Sequence, residues 1–206
     1  MIRIENLTFY FDKEKIFKNF SVQIPDNSFV SIIGESGKGK TTLLNLLAGF
    51  EIAREGEIYI DDIKLSKGTI SDIRKKIAWL PQNFDISINT VKELFMAPFN
   101  LKSNKELLPS PAEIKSLFET LNIGNVSFSK NIDEISGGQK QRVIIASLLA
   151  TKKRYFLLDE PSSALDSKSV EVLLKTLKKE NITILASTHD KTVIEASTMV
   201  IDLNKL

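Results

Sequence analysis

Gly34-Glu35-Ser36-Gly37-Lys38-Gly39-Lys40-Thr41-Thr42 supplies, in one short run, the groups needed to hold a chain of phosphates. Its glycines let successive backbone N–H groups point inward at phosphate oxygens, and a helix beginning near Lys40 adds its positive end. Lys40 reaches the outer phosphates and the Thr41 hydroxyl suits Mg²⁺. Glu35, Ser36 and Thr42 contribute backbone donors, whereas Lys38 is either a further phosphate contact or a solvated lysine beside the loop. A second run, Tyr155-Phe156-Leu157-Leu158-Asp159-Glu160, is an apolar strand ending in two carboxylates. At the carboxyl end of a parallel strand beside a phosphate loop, Asp159 is placed to hold Mg²⁺, usually through water. Glu160 is placed to orient or deprotonate an attacking water.

A third run, Ser136-Gly137-Gly138-Gln139, precedes the apolar-rich stretch Val143 to Ala150. It sets a hydroxyl and free backbone N–H groups at a helix start, which is a second anion site. One chain therefore carries two phosphate-binding ends. If both served the same nucleotide, the second would be redundant. If they sit far apart, two chains packed head to tail complete both sites.

The elements that must position these runs follow from periodicity. Ile2, Ile4, Leu7 and Phe9, then Phe20, Val22 and Ile24, alternate as two exposed-faced strands, with Asp12-Lys13-Glu14-Lys15 as the turn between them. Phe29 to Ile33 is a buried strand running into the glycine loop, and Thr41 to Gly49 is a helix apolar on most faces. Glu57 to Asp61 and Ile77 to Leu80 are further strands. From Asn83 to Glu134 the pattern changes: Pro98, Pro109 and Pro111 interrupt helical stretches such as Val91 to Met96 and Ala112 to Leu121. Beyond it, strands at Tyr155 to Asp159, Ile182 to Ser187 and Met199 to Leu203 alternate with a helix over Lys168 to Glu180. Such alternation predicts parallel strands with helices on both faces.

Composition narrows the class. The 206 residues are 42% hydrophobic and 26% charged, with 28 basic against 26 acidic side chains, so no charge excess recruits nucleic acid or anionic lipid. There are no cysteines, which removes disulfides and thiolate metal sites and fits a reducing compartment. No apolar run is long enough to cross a bilayer and the start lacks the layout of a signal peptide, so any membrane role is expected to run through another subunit.

The glycine loop, Gln82 after Leu80-Pro81, Ile135 through Gln139, the Asp159-Glu160 strand end, Ser163-Ala164-Leu165-Asp166 and Ser187-Thr188-His189-Asp190, in that order, resemble the ATP-binding cassette (ABC) ATPases. The match covers essentially the whole chain. It departs in Ile135, where leucine is usual, and in Asp26-Asn27-Ser28, where a glycine-glutamate turn is common. The resemblance implies an α/β fold: a P-loop NTPase core with a mostly parallel sheet flanked by helices, an N-terminal antiparallel β layer and an inserted helical subdomain. Residues 1–82 and 135–206 would form the catalytic core and 83–134 the helical subdomain.

The resemblance also assigns roles. Gln82 would contact Mg²⁺ and the attacking water and link the two lobes. His189 would hydrogen-bond the γ-phosphate, and Asp166 would speak across a dimer. Ser136 and Gly138 would touch the γ-phosphate of ATP held by the other subunit. Adenine would stack on Phe11, with Tyr10 as the rival. Because the chain ends soon after its last strand, it resembles a minimal single-cassette subunit. Its implied partners are a second copy or a paralogous cassette and a separate transmembrane subunit, with no nucleic acid. The implied location is cytoplasmic, peripheral on the inner face of the cell membrane. A soluble cassette ATPase of iron–sulfur cluster assembly is the alternative. A P-loop kinase would leave the Ser136 run and His189 without purpose.

Overall fold

Along the chain, β1 (Ile2–Phe11) and β2 (Glu14–Ile24) lead into β3 (Phe29–Ile33) and α1 (Lys40–Leu47). Then come β4 (Glu55–Ile60), β5 (Ile63–Lys64), α2 (Ile70–Lys76) and β6 (Ile77–Leu80). Short 3₁₀ segments separate α3 (Val91–Met96) from α4 (Pro111–Thr120), and α5 (Gly137–Ala150) follows. The remainder is β7 (Tyr155–Asp159), α6 (Ser167–Lys179), β8 (Thr183–Ser187), α7 (Lys191–Ala196) and β9 (Met199–Asp202). This computed structural model describes residues 1–11, 14–82 and 88–206. Asp12 and Lys13 of the expected turn, and Asn83 with the four residues after it at the start of the expected helical stretch, lie outside the described residues.

The strands form an antiparallel four-stranded sheet, β2-β1-β4-β5, and a wholly parallel five-stranded sheet, β6-β7-β8-β3-β9. Alternate side chains of the parallel strands face opposite layers, as a period of two demands. Tyr155 and Leu157 of β7 and Leu185 of β8 face the layer shared with α1 and the antiparallel sheet. Phe156, Leu158, Ile184 and Ala186 face α3, α5 and α6. All of β7 and β8 is buried, which is why both read as unbroken apolar runs. Helix α1 buries Leu43, Leu44, Leu46 and Leu47 between the two sheets.

Phe95 of α3, Phe118 of α4 and Phe128 join the same apolar cluster as Phe156 and Leu158. Phe95 and Phe118 meet edge to face with centroids 5.7 Å apart, and Phe128 lies 5.4 Å from each. Helix α4 begins with a capping box in which the Ser110 hydroxyl accepts from Glu113 N–H and the Glu113 carboxylate accepts from Ser110 N–H. The Lys152 ammonium, donating to Glu113 at 2.6 Å from the turn after α5, holds that carboxyl down to about 2.

Several boundaries differ from the expectations. Glu14 and Lys15 are ladder residues of β2, opposite Phe11 and Tyr10, rather than turn: a polar pair can continue a ladder whose side chains are solvated. The three-residue step from Ile4 to Leu7 is accommodated by a bulge with Asn6 at φ 51°. The strand expected over Glu57 to Asp61 starts two residues earlier and ends at Ile60, where Asp61 turns with φ 52°. The helix expected to reach Gly49 ends at Leu47. Replacing fully buried Leu157, at the centre of β7, with alanine is expected to cost about 3 kcal/mol, read as a lower denaturation midpoint with an unchanged slope.

Candidate functional site

The chemistry-bearing runs converge because parallel strands in one register end side by side. Ile32 pairs with Ser187, Ser187 with Asp159, and Leu158 with Leu80. The glycine loop leaves β3, Asp159 and Glu160 close β7, Ser187 to His189 leave β8, and Gln82 stands exposed two residues past β6. All emerge at the carboxyl end of the sheet.

In the loop, Gly37 and Gly39 have φ of 84° and 91°, conformations that other residues rarely adopt. A Cβ on Gly39 would fall 2.4 Å from Ile16 Cγ2 and 3.1 Å from Phe17 Cζ, so β2 braces the loop from behind. Nothing lies within 4 Å of a Cβ on Gly37, so that part of the loop faces open space. Lys40 Nζ donates to the carbonyls of Gly34 and Glu35 at 2.8 and 3.2 Å, which holds the ammonium across the mouth of the loop. Glu35 N–H donates to Asn204 Oδ1 at 3.0 Å, a support from beyond β9 that nothing in the sequence pattern signals. Ser36 and Lys38 are exposed, and Thr41 and Thr42 open α1.

Asp159 is 2% exposed, and both of its oxygens are engaged. Thr41 Oγ1 donates to Oδ2 at 2.7 Å, and the Ser187 hydroxyl donates to Oδ1. A hydroxyl beside one carboxylate is a hard oxygen donor set, which fits Mg²⁺ and not a thiophilic metal. No group of three or more His, Cys, Asp or Glu gathers among the described residues, so such a cation would draw its other ligands from phosphate and water.

Glu160 adopts φ 50°, a left-handed conformation costing about 1 kcal/mol that marks a locally constrained site. Its N–H donates to the carbonyl and hydroxyl oxygens of Ser187 at 3.1 and 3.0 Å. With its side chain 16% exposed, burial pushes the Glu160 carboxyl above the ordinary glutamate value, against smaller pulls from His189 and Lys40. His189 Nε2 lies 3.4 Å from Glu160 Oε1 while its ring stays 60% exposed.

The Ser136 run stands apart from this row. Ser136 caps α5: its hydroxyl accepts from Gln139 N–H at 3.2 Å, and Gln139 Oε1 accepts from Ser136 N–H at 2.9 Å. Gly137 and Gly138 lie against Ala164, and a Cβ on Gly138 would fall 2.8 Å from the Ala164 carbonyl, so only glycine allows this approach. Gln141 Nε2 donates to Pro161 O at 2.9 Å, and Arg142 donates to the carbonyls of Gly138, Leu121 and Asn122. Asp166 caps α6 by accepting from Ser169 N–H at 2.8 Å, a bond that holds its carboxyl below the usual range. Of the two aromatics, Phe11 is 59% exposed, whereas the Tyr10 ring is approached by Lys15 and Arg54 at 5.2 and 5.5 Å. Among the described residues, no helix is long and apolar enough to cross a membrane.

A phosphate loop between an interior parallel strand and its helix, flanked by strand-end carboxylates, defines a P-loop nucleotide-binding fold of the ATPase class. The chain belongs to the ABC transporter family, whose model matches residues 17–163. It is 34% identical over 197 residues to the energy-coupling factor transporter ATP-binding protein EcfA of Aster yellows witches'-broom phytoplasma (strain AYWB), covering 92% of this chain and 70% of the relative. It is 36% identical over 208 residues to the spermidine/putrescine import ATP-binding protein PotA of Acetivibrio thermocellus, covering 97% of this chain and 56% of the relative. Among solved structures, the ATP-binding cassette MJ0796, dimeric in a post-hydrolysis state bound to ADP and Pi, superposes with TM-score 0.77 at 31% identity, over 98% of this chain and 94% of that one. CbiO1 from Clostridium perfringens, part of the ABC transporter complex CbiONQ, superposes with TM-score 0.81 at 25% identity, over 98% and 83%. The chain is an ATPase subunit of an ABC transporter.

The raised Glu160 pKa has a thermodynamic consequence. Folding favours the protonated carboxyl, so the ionised form costs stability once pH exceeds the folded value; that cost is absent below the unfolded value near 4.5. Glu160→Gln is therefore expected to melt above the wild-type chain at pH 8. The gap should close as pH falls below about 4; a gap independent of pH would mean that burial does not perturb this carboxyl.

Proposed function

We propose that the strand-end row is a Mg²⁺–ATP hydrolysis site completed by a second cassette, and that its cycle drives substrate movement through a separate membrane subunit. The observation that carries this reading is the convergence of Thr41, Asp159, Glu160 and His189 beside an open phosphate loop. The loop N–H groups from Gly34 to Thr42 and the Lys40 ammonium hold the phosphates, and Thr41 and Asp159, with Gln82, hold Mg²⁺. When bound, Mg²⁺ neutralises charge on the outer phosphates. Glu160 accepts a proton from the attacking water, a task suited by a carboxyl whose pKa is raised, and His189 donates to the γ-phosphate from beside it. Phe11 offers adenine an exposed face, while the Tyr10 ring is already approached by two cations.

Ser136, Gly137, Gly138 and Gln139 serve the nucleotide of the partner cassette, with Asp166 at the seam. The side-chain hydrogen bonds of Ser136 and Gln139 stay within their own helix start, which places the glycines in the first turn at its positive end. Residues 1–82 and 135–206 act as the catalytic core and 83–134 as a helical subdomain that grips the membrane subunit. The chain then sits on the cytoplasmic face of the membrane, peripheral through that subunit.

Two variants test the reading. Glu160→Gln should keep ATP binding, cut turnover about 10²- to 10³-fold and accumulate an ATP-dependent dimer on size exclusion. Brisk hydrolysis by that variant would mean the base is misassigned. Ser136→Arg should bind ATP nearly as well as wild type in the isolated chain and abolish hydrolysis. Loss of monomeric ATP binding would place Ser136 at its own chain's nucleotide.

A further inference from the structure

Ser187 is fully buried at the last position of β8, in register with Asp159, and its hydroxyl is committed in two directions. It donates its single proton to Asp159 Oδ1 and accepts the Glu160 N–H at 3.0 Å. We propose that Ser187 is a positioning residue for ATP hydrolysis, which sets both the oxygen that Asp159 presents to the cation and the backbone geometry that aims Glu160. The proposal rests on the functional reading above and names a residue that reading leaves unassigned.

The geometry gives two effects to one hydroxyl. A serine has one proton to donate, and here it occupies Oδ1. Oδ2 lies on the side of α1, where the Thr41 hydroxyl donates to it at 2.7 Å. With Ser187 on Oδ1 and Thr41 on Oδ2, the carboxylate plane is fixed and Oδ2 is the oxygen held beside the Thr41 hydroxyl. A support of this kind around a metal-binding carboxylate is worth roughly 10- to 100-fold in metal affinity or activity. The second effect falls on Glu160, whose φ of 50° is unusual for a residue with a side chain. The Ser187 carbonyl and hydroxyl together hold its N–H, and Gln141 fixes the Pro161 carbonyl on the next peptide at 2.9 Å. The Ser187 carbonyl already takes the Glu160 N–H at 3.1 Å, so losing the hydroxyl leaves the main-chain pairing of β7 and β8 in place. Deleting the hydroxyl therefore frees a carboxylate and a strained turn without unmaking the sheet.

Three variants separate this role from plain packing: Ser187→Ala, Ser187→Cys, which is near in volume but a weak donor, and Ser187→Thr, which keeps the hydroxyl. Metal-free ADP binding in EDTA should stay within about twofold of wild type in all three, because the phosphate loop is untouched. Mn²⁺ affinity of the ADP-bound chain, followed by electron paramagnetic resonance without turnover, should fall about tenfold in the Ala and Cys variants and recover in Thr. The kcat for ATP should fall about tenfold or more in the same two, with KM changed far less. Wild-type Mn²⁺ affinity and kcat in Ser187→Ala would overturn the proposal, as would a Cys variant indistinguishable from wild type. Should the added methyl of Thr lower the melting temperature, the Ala and Cys pair decides alone. A wild-type chain that binds Mn²⁺–ADP but hydrolyses no ATP would sink the functional reading and leave the Mn²⁺ comparison to judge Ser187. A wild-type chain that binds no Mn²⁺ with ADP would sink both.

Discussion

Parallel pairing of β7 with β6 and β8 in a single register is the constraint on which the rest depends. Because side chains alternate along a strand, Asp159 faces the same layer as Tyr155 and Leu157, the layer that contains α1. That parity is what lets Thr41, at the start of α1, reach Asp159 across the sheet edge. A slip by one residue would turn the carboxylate into the opposite layer, among Phe95, Val143 and Leu173, where an unpaired charge is prohibitive. The apolar residues of β7 hold the register through burial on both faces, so the core and the site are specified by the same five residues.

The chain also ties the start of α5 to the strand end that carries Glu160. The start of α5 rests on the segment that follows Glu160: Gly138 fits against the Ala164 carbonyl, and Gln141 binds the Pro161 carbonyl. Arg142, from the next turn of α5, clamps that start to the carbonyls at the end of α4. A displacement of the Ser136 end by a partner's nucleotide would therefore be felt through short, directional contacts at the chain's own Glu160. This gives an ATPase built of two copies a physical route for one site to sense the other.

The parts of this architecture legible in the sequence are those whose pattern is set by burial. Phe29 to Ile33 and Tyr155 to Asp159 are continuous apolar runs because both faces are covered, and their boundaries match the structure to the residue. The phosphate loop was legible because its glycines satisfy a backbone requirement that other residues meet poorly. What was not legible is what depends on contacts between distant segments. Helices α2 and α7 are short, at seven and six residues, and each has a single buried hydrophobic side chain, so no stripe announces them. Asn204 supports the site through one hydrogen bond and Gln141 through two, to the carbonyls of Glu160 and Pro161, from residue types that are unremarkable in a loop or a helix. Ser187 looks like filler in a buried strand until its partner across the ladder is known. Ser136 has the type and setting of an anion contact, and its capping box with Gln139 gives it a structural task as well.

If the Ser136 end of one chain closes over the phosphate loop of another, residues at the two sites come together only in the ATP-bound dimer. The chain contains no cysteine, and a Cβ on Gly137 would meet only Ala164 Cβ, at 3.6 Å, so a Ser36→Cys, Gly137→Cys pair in a Glu160→Gln background can be cross-linked without interference. A covalent dimer should form rapidly with ATP, slowly with ADP, and not when either cysteine is omitted. A chain that remains monomeric under oxidation while binding ATP normally would contradict that closure.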